Sequence, residues 1–69
     1  ASPLKRLTPR EFEIFRLLAQ GRSVAEIAAL LHLSRKTVGV HQTRILKKLN
    51  LANTVQLALL AVRCQVIVP

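Results

Sequence analysis

The chain contains no Trp, Tyr, Met or Asp, only two Gly, one Cys and three acidic residues. Each scarcity removes a class of protein. A lone Cys64 cannot form an internal disulfide, which excludes a small secreted fold stapled by cystines and points to a reducing compartment. Aromatics are 3% of the residues, so the core must be aliphatic, as packed helices usually are. Two His, one Cys and no Asp offer no cluster with metal-ligand spacing, and a Ser-His-Asp arrangement lacks its acid. No catalytic residue, metal or cofactor is therefore expected. The longest apolar run, residues 57–62, falls far short of the roughly 20 residues that a membrane-spanning helix needs, so no membrane partner is expected either.

What is present describes one small domain of 69 residues. Hydrophobic residues make up 51% of it, too many for a disordered basic tail. The net charge is +8 and unevenly placed. Residues 1–26 hold Glu11, Glu13 and Glu26 against Lys5, Arg6, Arg10, Arg16 and Arg22. Residues 27–69 hold Arg35, Lys36, Arg44, Lys47, Lys48 and Arg63 with no acid at all. Such a surplus implies a polyanionic partner, nucleic acid before an anionic membrane surface; the plainer alternative is a solvated basic face.

Punctuation along the chain predicts an all-α, four-helix bundle. Thr8-Pro9-Arg10-Glu11 is a helix start in which Thr8 caps, Pro9 takes the first position and Glu11 closes a capping box. That helix, over about 9–20, turns Phe12, Ile14, Phe15, Leu18 and Ala19 to a core and stops at Gly21. Ser23 and Glu26 repeat the box and open a helix over 24–31 that carries Ile27, Ala28, Leu30 and Leu31. Ser34 caps a third helix over 35–49, and Asn53, with Gln56 three residues on, caps a fourth over 54–63. Val66-Ile67-Val68 reads as a segment able to extend along the surface.

The joint between the second and third helices is tight. His32 at its centre is one of the few non-Gly residue types that tolerate a positive φ, and Leu31 and Leu33 flank it. Small Ala28 and Ala29 let the second helix lie close to the third. A helix-turn-helix and an ordinary αα-corner both fit this spacing. Projected at about 100° per residue, the third helix places Val38, Ile45 and Leu49 on one line, with Leu46 at the margin and His41 and Gln42 beside it. The opposite side carries Lys36, Val40, Thr43 and Lys47, flanked by Thr37, Gly39 and Arg44. A merely solvated face would carry Glu–Lys pairs, and here there is no Glu. Outward Val40 and helix-weakening Gly39 suit a backbone that must approach another surface, such as a major groove about 12 Å wide, where a small apolar side chain meets a thymine methyl. Helix four buries Leu57, Ala58, Ala61 and Val62, while Val55, Leu59 and Leu60 project as a partner surface for a symmetric dimer.

These motifs carry a resemblance. Leu7-Thr8-Pro9-Arg10-Glu11, Gly21-Arg22-Ser23, Glu26-Ile27-Ala28, Leu33-Ser34, Thr37-Val38, His41, Ile45 and Lys48-Leu49 together resemble the LuxR-type helix-turn-helix domain of the FixJ/NarL class of bacterial transcription regulators. The match covers residues 7–67 as one DNA-binding domain and leaves 1–6 as a linker or tail. The resemblance implies a third helix in the major groove of double-stranded DNA and a fourth supporting a homodimer. It implies base-edge contacts from Gly39, Val40 and Thr43, and phosphate contacts from Thr8, Arg10, Ser23, Val24, Thr37, His41, Arg44 and Lys47. The chain departs from the family where Gly39 and Thr43 replace long basic residues, Gln42 an apolar one and Val24 an Asn. Direct readout then falls to Lys36, Val40, Gln42 and Thr43 beside Gly39. The family also implies a bacterial cytoplasmic, nucleoid-associated location and a receiver or ligand-binding domain ahead of this one, although single-domain members exist. The rival class is a basic helical adaptor that docks on an acidic protein.

Overall fold

The computed structural model describes residues 3–64, a 3-10 turn over Pro3–Arg6 followed by four α-helices. These are α1 (Pro9–Ala19), α2 (Val24–Leu31), α3 (Arg35–Lys48) and α4 (Thr54–Arg63). Each boundary lies within one residue of the expected one, and no strand occurs among the described residues. The Val66-Ile67-Val68 segment lies outside them. Pro3–Arg6, read as linker or tail, forms its turn because Leu4 packs against the core and its carbonyl accepts the Leu7 N–H at 3.1 Å.

All four helices are capped by the side chains expected to cap them, which satisfies backbone N–H groups that the first turn leaves free, at about 1 kcal/mol each. Thr8 and Glu11 exchange both capping-box bonds, at 3.2 and 2.9 Å. Ser23 and Glu26 do the same, at 3.1 and 2.9 Å. At α4 the Asn53 Oδ1 accepts the Gln56 N–H at 3.0 Å, and Gln56 reaches back to the N–H of Ala52 rather than of the cap. Three of the helices end through a left-handed residue: Gly21 (φ 90), His32 (φ 55) and Asn50 (φ 56). After α1 the Arg22 N–H bonds Leu17 O and the Gly21 N–H bonds Leu18 O. After α3 the Leu51 N–H bonds Leu46 O and the Asn50 N–H bonds Lys47 O, the same Schellman closure with Asn in place of Gly.

Helix α1 sits at the centre and packs on the other three, while α2 packs on α3. The core is Ile14, Phe15, Leu17, Leu18 and Ala19 of α1 with Ile27, Ala28, Val38, Ile45, Leu57 and Ala61. Four expectations need correction. Phe12 is exposed and only leans on Phe15, with ring centroids 6.2 Å apart, because it faces the one side of α1 that no helix covers. Leu17 is buried in its place, since a central helix hides more of its circumference than one amphipathic stripe. Ala29 and Leu30 are exposed, so Ala28 alone provides the close approach of α2. Leu60, expected to project away, is half-buried and packs against the core. It lies one turn from Leu57 on the inward side, whereas Leu59 points about 160° away from Leu57.

Candidate nucleic-acid interface

Helix α3 is anchored on one side and bare on the other. Val38 and Ile45 are fully buried, and Ser34 fixes its start by accepting the Thr37 N–H at 3.1 Å. Its far end is tied to α1 through Lys48, whose Nζ donates to Glu11 Oε1 at 2.7 Å, and Arg6 donates to the Lys48 carbonyl at 3.4 Å. Burial and clamping leave a defined outer face. Lys36, Gly39, Val40, Thr43, Arg44 and Lys47 line one shallow concavity, with Val40 44% exposed at its centre. Four of the five residues expected to read bases therefore share a surface. Gln42 does not. It is half-buried, about 40° from the Val38–Ile45 line, and turns toward Arg22, Ser23 and Val24 at the start of α2 and toward Thr54 of α4.

Two patches flank this face. On one side Thr8 and Glu11 at the start of α1 meet Arg44, Lys47 and Lys48 in a basic notch. On the other lies the depression that holds Arg22, Ser23, Val24, Gln42 and Thr54. Five of the eight residues expected to touch phosphate line them, Thr8, Arg44 and Lys47 in the first and Ser23 and Val24 in the second, while Arg10, Thr37 and His41 line neither. Arg10 is ion-paired with Glu13 at 3.1 Å, in a half-exposed contact worth at most about 1 kcal/mol and so easily exchanged for phosphate. Thr37 is exposed and accepts a hydrogen bond from the Ser34 hydroxyl at 2.8 Å. His41 is half-buried between the core and the basic side, and its Nδ1 is buried with no hydrogen-bond partner.

The acids offset only part of this field, since Glu11 is paired with Lys48 while Arg44 and Lys47 of the same notch are left to it. Glu11 is nearly fully buried, and the Lys48 ammonium, followed by the Thr8 N–H, holds its carboxyl below the usual 4.5. The Ser23 N–H does the same for Glu26. Each of the three acids is thus engaged in a cap, an ion pair or both, and α3 carries five cations with no acid. Sequence reasoning missed the Glu11–Lys48 pair, since nothing in a spacing of 37 residues announces it. It also missed Arg22 and Thr54 beside the second patch.

Gly39 stands apart from Gly21. Gly21 needs its φ of 90°, whereas Gly39 has helical backbone and a Cβ there would meet nothing within 4 Å. Nothing inside the described structure asks for glycine at a position where it costs about 1 kcal/mol relative to Ala. Thr43 bonds back to it, the hydroxyl donating to Gly39 O at 3.1 Å.

On α4, Val55 and Leu59 are 68% and 60% exposed and share an apolar groove with Ala58 and Val62, both expected in the core but only half-buried, beside Leu18 and Ala19. Leu60 does not line that groove but a neighbouring depression with Leu51, Gln56 and Arg63, and Leu59 borders both. Cys64 is half-buried at the end of α4. Among the described residues no group of His, Cys, Asp and Glu is placed to hold a metal ion, and no helix is long and apolar enough to cross a membrane.

Comparison with known proteins agrees with this geometry. The family model described as bacterial regulatory proteins, luxR family, matches residues 5–61. The transcriptional regulatory protein UhpA of Salmonella typhimurium is 54% identical over 52 residues, which are 75% of this chain and 26% of that protein. The response regulatory protein YgeK of Escherichia coli is 47% identical over 57 residues, 83% of this chain and 39% of its own length. The transcriptional activator protein BjaR1 of Bradyrhizobium diazoefficiens is 37% identical over 67 residues, 97% of this chain and 28% of its own. The chain thus spans well under half the length of these relatives. No solved structure gives a significant match. A capped and clamped basic helix behind a tight turn, matched by the family over most of its length, places the chain in the luxR family of bacterial regulatory proteins, as a helix-turn-helix DNA-binding domain.

Proposed function

We propose that this domain binds double-stranded DNA sequence-specifically as the output module of a bacterial transcription regulator, with α3 in the major groove. The observation that carries the reading is the outer face of α3, where Lys36, Gly39, Val40 and Thr43 lie exposed or half-exposed beside Arg44 and Lys47 while Val38 and Ile45 on the opposite side are fully buried. Lys36, Gly39, Val40 and Thr43 face base edges. Gln42 supports the start of α2 instead. Thr8, Arg10, Ser23, the Val24 backbone N–H, Thr37, His41, Arg44 and Lys47 face phosphates on either side, which supply most of the affinity and none of the sequence choice.

Two copies pair on DNA through the α4 groove at Val55, Ala58, Leu59 and Val62, and their half-sites lie about one helical turn apart, roughly 34–36 Å. A receiver or ligand-binding domain elsewhere in the protein sets when this happens, in the bacterial cytoplasm. The names of the relatives, a transcriptional regulatory protein and a transcriptional activator among them, support this reading. Selecting bound duplexes from a random pool, then competing them against random duplex at physiological salt in a mobility assay, tests it. Enrichment of a common sequence that outcompetes random duplex is expected. Failure to retain any duplex would contradict the proposal and leave the basic face to an acidic protein partner.

A further inference from the structure

We infer that the centre of the α3 face selects an A·T base pair, because exposed Val40 offers the groove methyl groups to meet a thymine methyl, while Gly39, Val40 and Thr43 offer no donor that would reward guanine. The inference rests on the proposed major-groove reading and deepens it. Gly39 has no side chain, and Val40 presents only methyl groups. Thr43 has a hydroxyl, but its proton is given to Gly39 O at 3.1 Å, inside the helix. What the hydroxyl turns outward is its lone pairs, so Thr43 meets DNA as an acceptor. The donors of this surface line the same concavity, Lys36 one turn before Val40 and Lys47 one turn after Thr43, with Arg44 next to Thr43.

Base edges in the major groove differ in what they demand. Guanine shows two adjacent acceptors, N7 and O6, and is read by donors. Adenine shows an N6 amine beside N7, and its thymine partner shows O4 and a methyl. A donor-free patch leaves two acceptors unpaired against either pair, N7 and O6 of guanine or N7 of adenine and O4 of thymine, and the Thr43 oxygen can take the amine of adenine or of cytosine; what A·T adds is the thymine methyl. Against A·T the Thr43 oxygen accepts from the adenine amine while Val40 packs on the thymine methyl. The missing Cβ at Gly39, with open space where it would stand, lets the backbone come near enough for the short side chains Val40 and Thr43 to reach.

The test uses duplexes that the wild-type domain selects. Replacing each central thymine by uracil removes only its methyl, and at one position wild-type affinity should fall about fourfold, the worth of one buried methyl group. Val40→Ala should bind the thymine and uracil duplexes alike, which assigns that thymine to Val40. Gly39→Lys introduces a donor and should shift the preference at the same base pair toward G·C by about tenfold. A selected half-site with G·C opposite Val40 and Thr43, or insensitivity to uracil at every central thymine, overturns this inference while leaving sequence-specific binding intact. Loss of all selective binding by the wild type would overturn the DNA reading itself.

Discussion

The Glu11–Lys48 pair joins the start of α1 to the end of the reading helix, and removing either partner should unequally weaken the fold. The Glu11 side chain is 5% exposed and accepts from Lys48 Nζ at 2.7 Å and from the Thr8 N–H at 2.9 Å. Lys48→Met keeps the stem but leaves a buried carboxylate with one partner fewer. Breaking a fully buried pair costs about 3–5 kcal/mol, but the lysine side chain is 38% exposed and water replaces part of the contact, so about 2 kcal/mol is expected. Glu11→Gln keeps an acceptor for Thr8 and exchanges a charged hydrogen bond for a neutral one, about 1 kcal/mol. Urea unfolding followed by circular dichroism at pH 7 measures both. Acid adds a second signature. Because the folded-state carboxyl sits below 4.5, its contribution is complete above that value and is lost as pH falls through the lower folded-state value. The gap between wild type and Glu11→Gln should therefore close as pH falls from 4.5 through the lower folded-state value. A Lys48→Met domain as stable as wild type at pH 7, or a gap that persists in acid, would refute the assignment.

Gly39→Ala should raise the melting temperature by about 4–8 °C, since the added methyl meets open space and improves helix propensity, while binding to the selected duplex falls. Unchanged or tighter binding would show that nothing approaches that position. His32→Gly should stabilise the domain by up to about 1 kcal/mol, because φ of 55° is strained for a side-chain-bearing residue; a loss in urea unfolding would contradict this. Leu59→Asp should leave the monomer folded by circular dichroism and abolish cooperative binding to paired half-sites, whereas Leu60→Asp should unfold it in part. Retained cooperativity in Leu59→Asp would exclude the α4 groove as the contact.

Much of this was legible because the signals were local. Capping boxes at Thr8–Glu11 and Ser23–Glu26 act over three residues, and the structure shows both closed. Gly21 and His32 are turn residues by type, and both take positive φ. Asn50 does as well, yet an Asn between two leucines gave no sign that the chain turns there. What failed was direction. Phe12, Leu60 and Gln42 each lie near the edge of an apolar stripe, where the position of a neighbouring helix decides between core and solvent. Glu11 read as a capping residue and nothing more; its burial follows from Lys48, which arrives from 37 residues away.

The central claim is that α3 and the patches beside it grip a duplex through its phosphates. Titrating affinity for the selected duplex against salt measures this directly. With six phosphates neutralised per protomer, log K should fall against log salt with a slope of about −5 per protomer, and Lys47→Ala should reduce it by about one. A slope near zero, unaltered by Lys47→Ala, would contradict the account.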